Sequence, residues 1–166
     1  MCHALLSEVY LWKKEHDTAI AEAERAVLLA PADAGSYETL ADVLAWSGRA
    51  PEAIRHIKHA MRLNPQYPFF YLWTLGHAYY LSERNAEAIT TFKQLIERNQ
   101  NFAPAHAFLA VIYLGQGRRS DALAQLAAAS RISPHTSLES LKRTVPYKNE
   151  RDLARLLTAM AQMGVK

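Results

Sequence analysis

Small residues recur along this 166-residue chain at a nearly constant spacing. Four alanines lie 34, 35 and 34 residues apart: Ala19, Ala53, Ala88 and Ala122. Prolines follow the same period at Pro31, Pro65 and Pro134. A period of this length is typical of repeat proteins, in which each unit stacks on its neighbours and all units share one continuous core. The chain length therefore predicts about four stacked units rather than one central core.

Within each period, the apolar residues follow the spacing of an α-helix. Ala53, Ile57 and Ala60 lie three and four residues apart, on one face of a helix. Each unit holds two such runs, and Gly48 and Gly117 lie where the first run would end. No segment alternates with a period of two over a useful length, so the sequence predicts no strand.

The two runs of each unit predict four antiparallel helix pairs. Their expected ranges are 2–14 with 17–29, 34–47 with 51–63, 69–82 with 86–98, and 103–116 with 120–131. The third unit has the clearest set of key residues: Leu72, Leu75-Gly76, Tyr79, Ala88 and Phe92. This pattern resembles the tetratricopeptide repeat family over about residues 1–134. The resemblance implies an all-α, right-handed superhelix with repeats at about 1–33, 34–67, 69–102 and 103–134.

The resemblance further implies a concave inner face, formed mainly by the first helix of each pair. Aligning the four units gives ten candidate residues for a partner-binding groove: Glu8, Trp12, Glu38, Asp42, Trp46, Trp73, His77, Tyr80, Phe108 and Val111. Tryptophan and tyrosine are over-represented among binding hot spots, and all three tryptophans of the chain are in this set. Packing between helices is the alternative role for the aromatic members.

The polar residues of this set indicate which partner the groove prefers. Some tetratricopeptide modules hold a C-terminal carboxylate with Lys, Asn and Arg, but here the corresponding region offers Glu8, Asp42 and Val111. We therefore expect an apolar or mildly basic peptide or protein, with hydrogen bonds made by Glu38, Asp42 and His77. The function predicted is non-catalytic protein–protein interaction, as a scaffold or adaptor.

Residues 135–166 depart from the repeat period. A helix is predicted to begin near Ser137, and a last helix runs from Asn149 or Glu150 to about Met163. The apolar stripe of the last helix is typical of a capping helix, which covers the final repeat. The alternative is that these residues fill the groove.

The C-terminal residues also resemble a second family. Val145-Pro146-Tyr147-Lys148-Asn149, followed by Leu153 and Gly164, resembles the tail of tetratricopeptide regions in bacterial class III adenylate and guanylate cyclase homologues. This resemblance implies an alternative function, the C-terminal regulatory region of a larger bacterial enzyme.

The first repeat has no polar helix in front of it. Leu5, Leu6, Val9 and Ala26 are therefore expected to form an uncovered apolar end. Such an end would pack either on an upstream domain or on a second copy of the chain. In the second case the protein would be a homodimer.

Motifs for catalysis and cofactor binding are missing from the sequence. It contains no P-loop, no Gly-x-Gly-x-x-Gly and no nucleophile elbow. His56 and His59 share a helix face, but no Cys stands beside them and their segment is the second helix of its unit, where a solvated surface pair is expected. The sequence thus predicts no enzyme activity, no cofactor and no metal site.

Charge and hydropathy limit the remaining partners and the location. Residues 69–166 carry a net charge of +5, but no glycine-rich or aromatic-rich pattern accompanies the cations, so nucleic-acid binding is not expected. Charged residues interrupt every apolar run before the roughly 20 residues that a membrane span needs. With no recognisable export signal, we expect a cytoplasmic protein.

Overall fold

The computed structural model describes residues 2–166, and within this range the chain forms ten α-helices and no strand. The all-α fold class predicted from the sequence is confirmed. The helices are α1 Cys2–Trp12, α2 His16–Leu29, α3 Ala34–Trp46, α4 Ala50–Leu63, α5 Phe69–Leu81, α6 Asn85–Arg98, α7 Ala103–Gly115, α8 Arg119–Ile132, α9 Leu138–Thr144 and α10 Glu150–Gln162. In the described part of the chain, no helix is long and apolar enough to cross a membrane.

The first eight helices form four pairs that stack in chain order. Each odd-numbered helix packs most extensively on the helix that follows it, as α3 does on α4 and α7 on α8. Successive pairs join through the contacts of α2 with α3, α4 with α5 and α6 with α7. The first helices α1, α3, α5 and α7 also contact one another in series. They form one continuous side of the stack, called the inner face below.

The turn inside each pair has the same backbone conformation in all four units. Gly48 and Gly117 have positive φ angles of 82° and 75°, and Lys14 and Glu83 take φ angles of 62° and 58° at the matching positions. In each turn, the amide of the following residue donates to a carbonyl five residues earlier, as Arg49 does to Leu44. The repeat thus imposes this left-handed turn even where no glycine relieves it.

The helices of a pair approach closely because a small residue lies at their contact. The four periodic alanines, at 19, 53, 88 and 122, are all 0% exposed. In the third pair, a Cβ added to Gly76 of α5 would lie 2.6 Å from the ring of Phe92 of α6. Phe92 is itself fully buried between Trp73 and Phe108. The contact between α5 and α6 therefore leaves no room for a methyl group.

The Gly76→Ala variant should be destabilised by about 1–3 kcal/mol, because the enclosed Phe92 ring has no free space to move into. Gly115 of α7 is a matched control, since a Cβ there meets nothing within 4 Å. Gly115→Ala should be neutral or stabilising by up to about 1 kcal/mol. Thermal melts of both variants test this, and equal melting temperatures would contradict the packing described.

Residues 135–166, called the C-terminal segment, fold back onto the stack. Helix α10 packs on α7 and on α9, and Pro146 and Tyr147 between α9 and α10 are buried. The amide of Leu138 donates to the carbonyl of Lys166, which ties the two ends of the segment together (3.0 Å). These contacts place the C-terminal segment across the inner face. The capping role expected for it stays a prediction.

Candidate functional site

The ten residues predicted for the groove divide into two groups along the inner face. Five are buried inside the protein: Trp46, His77, Tyr80, Phe108 and Val111. The other five retain exposed surface, with Glu8 and Trp12 exposed and Glu38, Asp42 and Trp73 partly buried. The buried group lies toward the C-terminal half of the stack, where residues of the C-terminal segment cover part of it.

The buried group is organised around the imidazole of His77. Its ring centroid lies 4.2 Å from that of Trp46 and 5.2 Å from that of Trp73, with which it stacks nearly in parallel. The Phe108 ring packs on it edge-on at 5.4 Å. Burial, together with the charge of Arg155, lowers the pKa of His77 to about 3. His77 is therefore a neutral member of an aromatic cluster.

Tyr147 of the C-terminal segment completes this cluster. Its hydroxyl oxygen lies 2.8 Å from Nε2 of His77, and its ring packs edge-on against Trp46 at 4.6 Å. The next amide, that of Lys148, donates to the carbonyl of Trp46 over 3.0 Å. Trp46 is the last residue of α3, so its carbonyl has no partner within that helix. The segment thus satisfies a helix end while it covers the inner face.

A second set of contacts holds the C-terminal segment on the stack. The guanidinium of Arg155 lies 4.0 Å from the ring centroid of Tyr80 and donates to the Tyr80 hydroxyl and carbonyl oxygens over 2.9 and 3.0 Å. Lys148 Nζ lies 2.7 Å from Asp17 on the second helix of the first pair. Sequence reasoning did not assign these roles to Tyr147, Lys148 and Arg155. In the sequence, the Pro146-Tyr147-Lys148 stretch was the one feature that pointed to these residues. The sequence does not specify where on the stack this stretch packs.

An apolar cavity of about 380 Å³ remains between the C-terminal segment and the stack. Trp12, Trp73 and Phe108 line it from the inner face, and Leu141 and Leu156 line it from the C-terminal segment. Its lining is predominantly apolar, with the carboxylate residue Asp42 at one side. The cavity therefore connects the covered half of the inner face to the uncovered half.

The uncovered half contains a smaller acidic pocket of about 240 Å³. Seven residues from three first helices line it: Glu8, Glu38, Thr39, Asp42, Phe70, Trp73 and Thr74. Glu38 accepts a hydrogen bond from the Thr74 hydroxyl over 2.8 Å. By contrast, Oδ1 of Asp42 is buried and has no hydrogen-bond partner among the described residues. Three carboxyl groups and two aromatic side chains thus share one pocket.

The two carboxyl groups of α3 have strongly perturbed pKa values. Burial, reinforced by the charges of Asp42 and Glu8, raises the pKa of Glu38 to about 8, although the Thr74 hydrogen bond opposes this rise. Burial raises the pKa of Asp42 to about 7; a hydrogen bond with the Trp46 side chain opposes this rise, and the charge of Glu8 adds to it. Both groups therefore retain protons at a pH where ordinary carboxyl groups are ionised.

The described residues contain no group of three His, Cys, Asp or Glu side chains arranged to hold a metal ion. The two histidines of α4 pack around an aromatic ring instead. Tyr37 stacks on His56 with centroids 6.1 Å apart and meets His59 edge-on at 4.4 Å.

Comparison with known proteins supports the repeat assignment. Residues 79–145 match the family model described as tetratricopeptide repeat. No curated protein sequence matches the chain at a significant level. The resemblance to the tetratricopeptide repeat family is thus supported, whereas the resemblance of the tail to cyclase homologues stays a prediction.

Solved structures share the whole architecture at low sequence identity. TTC0263, described as a thermophilic TPR protein in Thermus thermophilus, is 21% identical with a TM-score of 0.75, over 98% of this chain and 81% of that one. YrrB, described as a TPR protein with an unusual peptide-binding site, is 19% identical with a TM-score of 0.62, over 97% and 82%. MamA is 17% identical with a TM-score of 0.66, over 95% and 91%.

These similarities define the fold class as a tetratricopeptide-type solenoid of helix pairs. Residues 79–145 carry the sequence signature of that repeat.

The acidic pocket should make the protein less stable as the pH rises toward about 8. Raised pKa values mean that folded Glu38 and Asp42 hold protons that the unfolded chain has released, so stability falls between the unfolded values near 4 and the folded values of about 7 and 8. Each carboxyl contributes at most about 1.4 kcal/mol per pH unit. Two further titratable groups interact with this pair. The charge of Glu8 raises the pKa of both carboxyl groups, and the charge of Glu38 contributes to a raised pKa of Tyr71, whose main cause is burial.

Urea unfolding at pH 6.5 and 8.5 measures this effect. The wild type should lose more stability over this interval than the double variant Glu38→Gln/Asp42→Asn. His77 does not interfere, because its lowered pKa affects stability only below its unfolded value of about 6.5. Parallel pH dependence in the two proteins would contradict the assigned proton occupancy.

Proposed function

We propose that this chain is a non-catalytic interaction module that binds a peptide or protein partner on the uncovered half of its inner face. The single observation that carries the proposal is the exposed indole of Trp12, which is 59% accessible, lines the apolar cavity and lies one helical turn from Glu8 of the acidic pocket. An aromatic side chain at the edge of a concave site offers a large contact area with a polar edge, which is typical of binding hot spots. The repeat fold supports the same function.

The covered half of the inner face has a different role in this proposal. Trp46, His77 and Tyr80 already contact the protein's own C-terminal segment through Tyr147, Lys148 and Arg155. These residues support the shape of the binding surface and leave Glu8, Trp12, Glu38, Asp42 and Trp73 as the contact set.

We place the module in the cytoplasm, a reducing compartment that suits a chain whose single cysteine gives it no disulfide framework.

Trp12→Ala should weaken partner binding at least about tenfold, because it removes the exposed hot-spot side chain. Peptides selected from a random 12-residue display library against the wild-type chain serve as probes, and isothermal titration calorimetry measures their affinity. Leu123→Ala on α8, where the side chain is 41% exposed, is the control and should change nothing. Peptides that bind both variants equally well would refute the proposed surface.

We also propose self-association through the first repeat. Leu5, Leu6 and Val9 of α1 are 59%, 41% and 54% exposed, and they form an apolar surface on the first helix of the stack. A second copy of this chain would cover that surface, since stacked repeats need covered ends for solubility.

Light scattering coupled to size exclusion tests this second proposal. The wild type should approach twice the 18.7 kDa mass of one chain as concentration rises. Leu5→Lys/Val9→Lys should remain monomeric because two charges would be buried at the interface, whereas Leu123→Lys at the other end of the stack should behave as the wild type. A monomeric wild type at all concentrations would exclude the dimer.

The alternative function is that of a C-terminal regulatory region in a larger bacterial, cyclase-like enzyme. Its support is the Val145–Asn149 stretch, which in this chain lies on the inner face through Tyr147 and Lys148. A cyclase domain encoded upstream in the same reading frame would favour this alternative over a free-standing adaptor.

A further inference from the structure

The acidic pocket lacks a positive charge to balance its carboxyl groups. Glu8 from α1 and the pair Glu38 and Asp42 from α3 line it, and none of the described lining residues is a cation. Glu38 and Asp42 lie four residues apart on one face of the helix, and the charge of Asp42 raises the cost of ionising Glu38. Such a cluster destabilises the free protein, so packing alone gives no reason for it.

A buried oxygen in this pocket also lacks a hydrogen-bond partner. Oδ1 of Asp42 is buried without a donor among the described residues, although Asp42 lines both the acidic pocket and the apolar cavity. Buried polar atoms in native proteins are almost always paired, so an orphan needs a physical explanation. When the carboxyl group of Asp42 is ionised, a hydrogen-bond donor from outside the described residues would satisfy this oxygen.

Two aromatic side chains of α5 line the same pocket. Phe70 is 40% exposed, and Trp73 is partly buried with its ring stacked on His77. A cation over an aromatic face is attracted by the ring quadrupole, and a planar guanidinium combines this stacking with paired hydrogen bonds to carboxylates. Carboxylates facing aromatic rings suit a guanidinium better than a hydrated spherical ion.

The inner face already holds a guanidinium of this chain farther along α5. Arg155 stacks on Tyr80 at 4.0 Å and donates to its hydroxyl, and Lys148 and Arg151 are on the same C-terminal segment. A basic stretch of polypeptide thus lies against the covered half. The uncovered half carries carboxyl groups and aromatics without such a stretch, so charge complementarity favours a basic partner there.

We propose that the acidic pocket binds an arginine side chain of a partner protein, with the guanidinium stacked on Trp73 and Phe70 and donating hydrogen bonds to Glu38 and Asp42. The inference rests on the proposed function and specifies its partner as a peptide with an exposed arginine. Binding the cation ionises both carboxyl groups and releases their protons. The affinity should therefore rise with pH up to about pH 8.

The direct test uses a single arginine as the probe. Nα-acetyl-arginine-methylamide is titrated into the full chain labelled with ¹⁵N, and the indole N–H signal of Trp73 reports on the pocket. The citrulline analogue, which is neutral and has nearly the same shape, should bind at least tenfold more weakly. The lysine analogue should also bind more weakly, because an ammonium group cannot stack and donate in parallel.

Variants identify the carboxyl groups that bind the probe. Asp42→Asn and Glu38→Gln should each weaken binding at least fivefold, while Glu139→Gln, an exposed carboxyl on α9, should leave it unchanged. Calorimetry in buffers of different ionisation enthalpy should detect proton release at pH 7, and affinity at pH 8 should exceed that at pH 6. This proton release separates the buried pair from ordinary surface attraction.

Three results would overturn the arginine site: equal binding of arginine and citrulline, shifts of Trp73 caused by Ca²⁺ alone at lower concentration than by arginine, or no saturable shift with arginine. The proposed function fails separately. A selected peptide that needs Trp12 but binds Asp42→Asn as tightly as the wild type would leave the interaction surface in place and refute the arginine pocket.

Discussion

The close contact of the two helices in each pair is the constraint from which the remaining features of the structure follow. Alanines at 19, 53, 88 and 122 are fully buried at these contacts. At Gly76 of α5, the Phe92 ring lies so close that there is no room for a side chain. Because no single pair can cover its own apolar stripe, the pairs stack and their first helices contact one another in series. The inner face, built from these first helices, is a consequence of this stacking.

The inner face is divided by the chain's own C-terminal segment. Tyr147 enters the aromatic cluster at His77, and Lys148 satisfies the end of α3 through the Trp46 carbonyl. These contacts turn part of a predicted groove into core, so tryptophans aligned by the repeat differ in exposure. Trp46 is 6% exposed and Trp12 is 59% exposed. The position of the segment therefore determines which inner-face residues are available to a partner.

Much of the fold and part of the site could be predicted from the sequence. The period placed the helix pairs, because apolar spacing within a helix is a local property of the chain. The left-handed conformation of Glu83, with a φ of 58°, could not be predicted in this way, because it comes from the repeat geometry and no glycine marks it in the sequence. The alignment assigned Glu38 and Asp42 to the inner face, but only their packing against Thr74 and Trp46 shows that their carboxyl groups are buried.

The sequence by itself determined the number of helix pairs, the small residues at their contacts and the set of side chains on the inner face. Tertiary structure alone decided that Arg155 stacks on Tyr80, that Tyr147 covers His77 and that Oδ1 of Asp42 lacks a partner. The physical reason is the distance along the chain. Helical periodicity acts over a few residues, whereas the contact between His77 and Tyr147 joins residues 70 positions apart and depends on how the C-terminal segment packs on the stacked pairs.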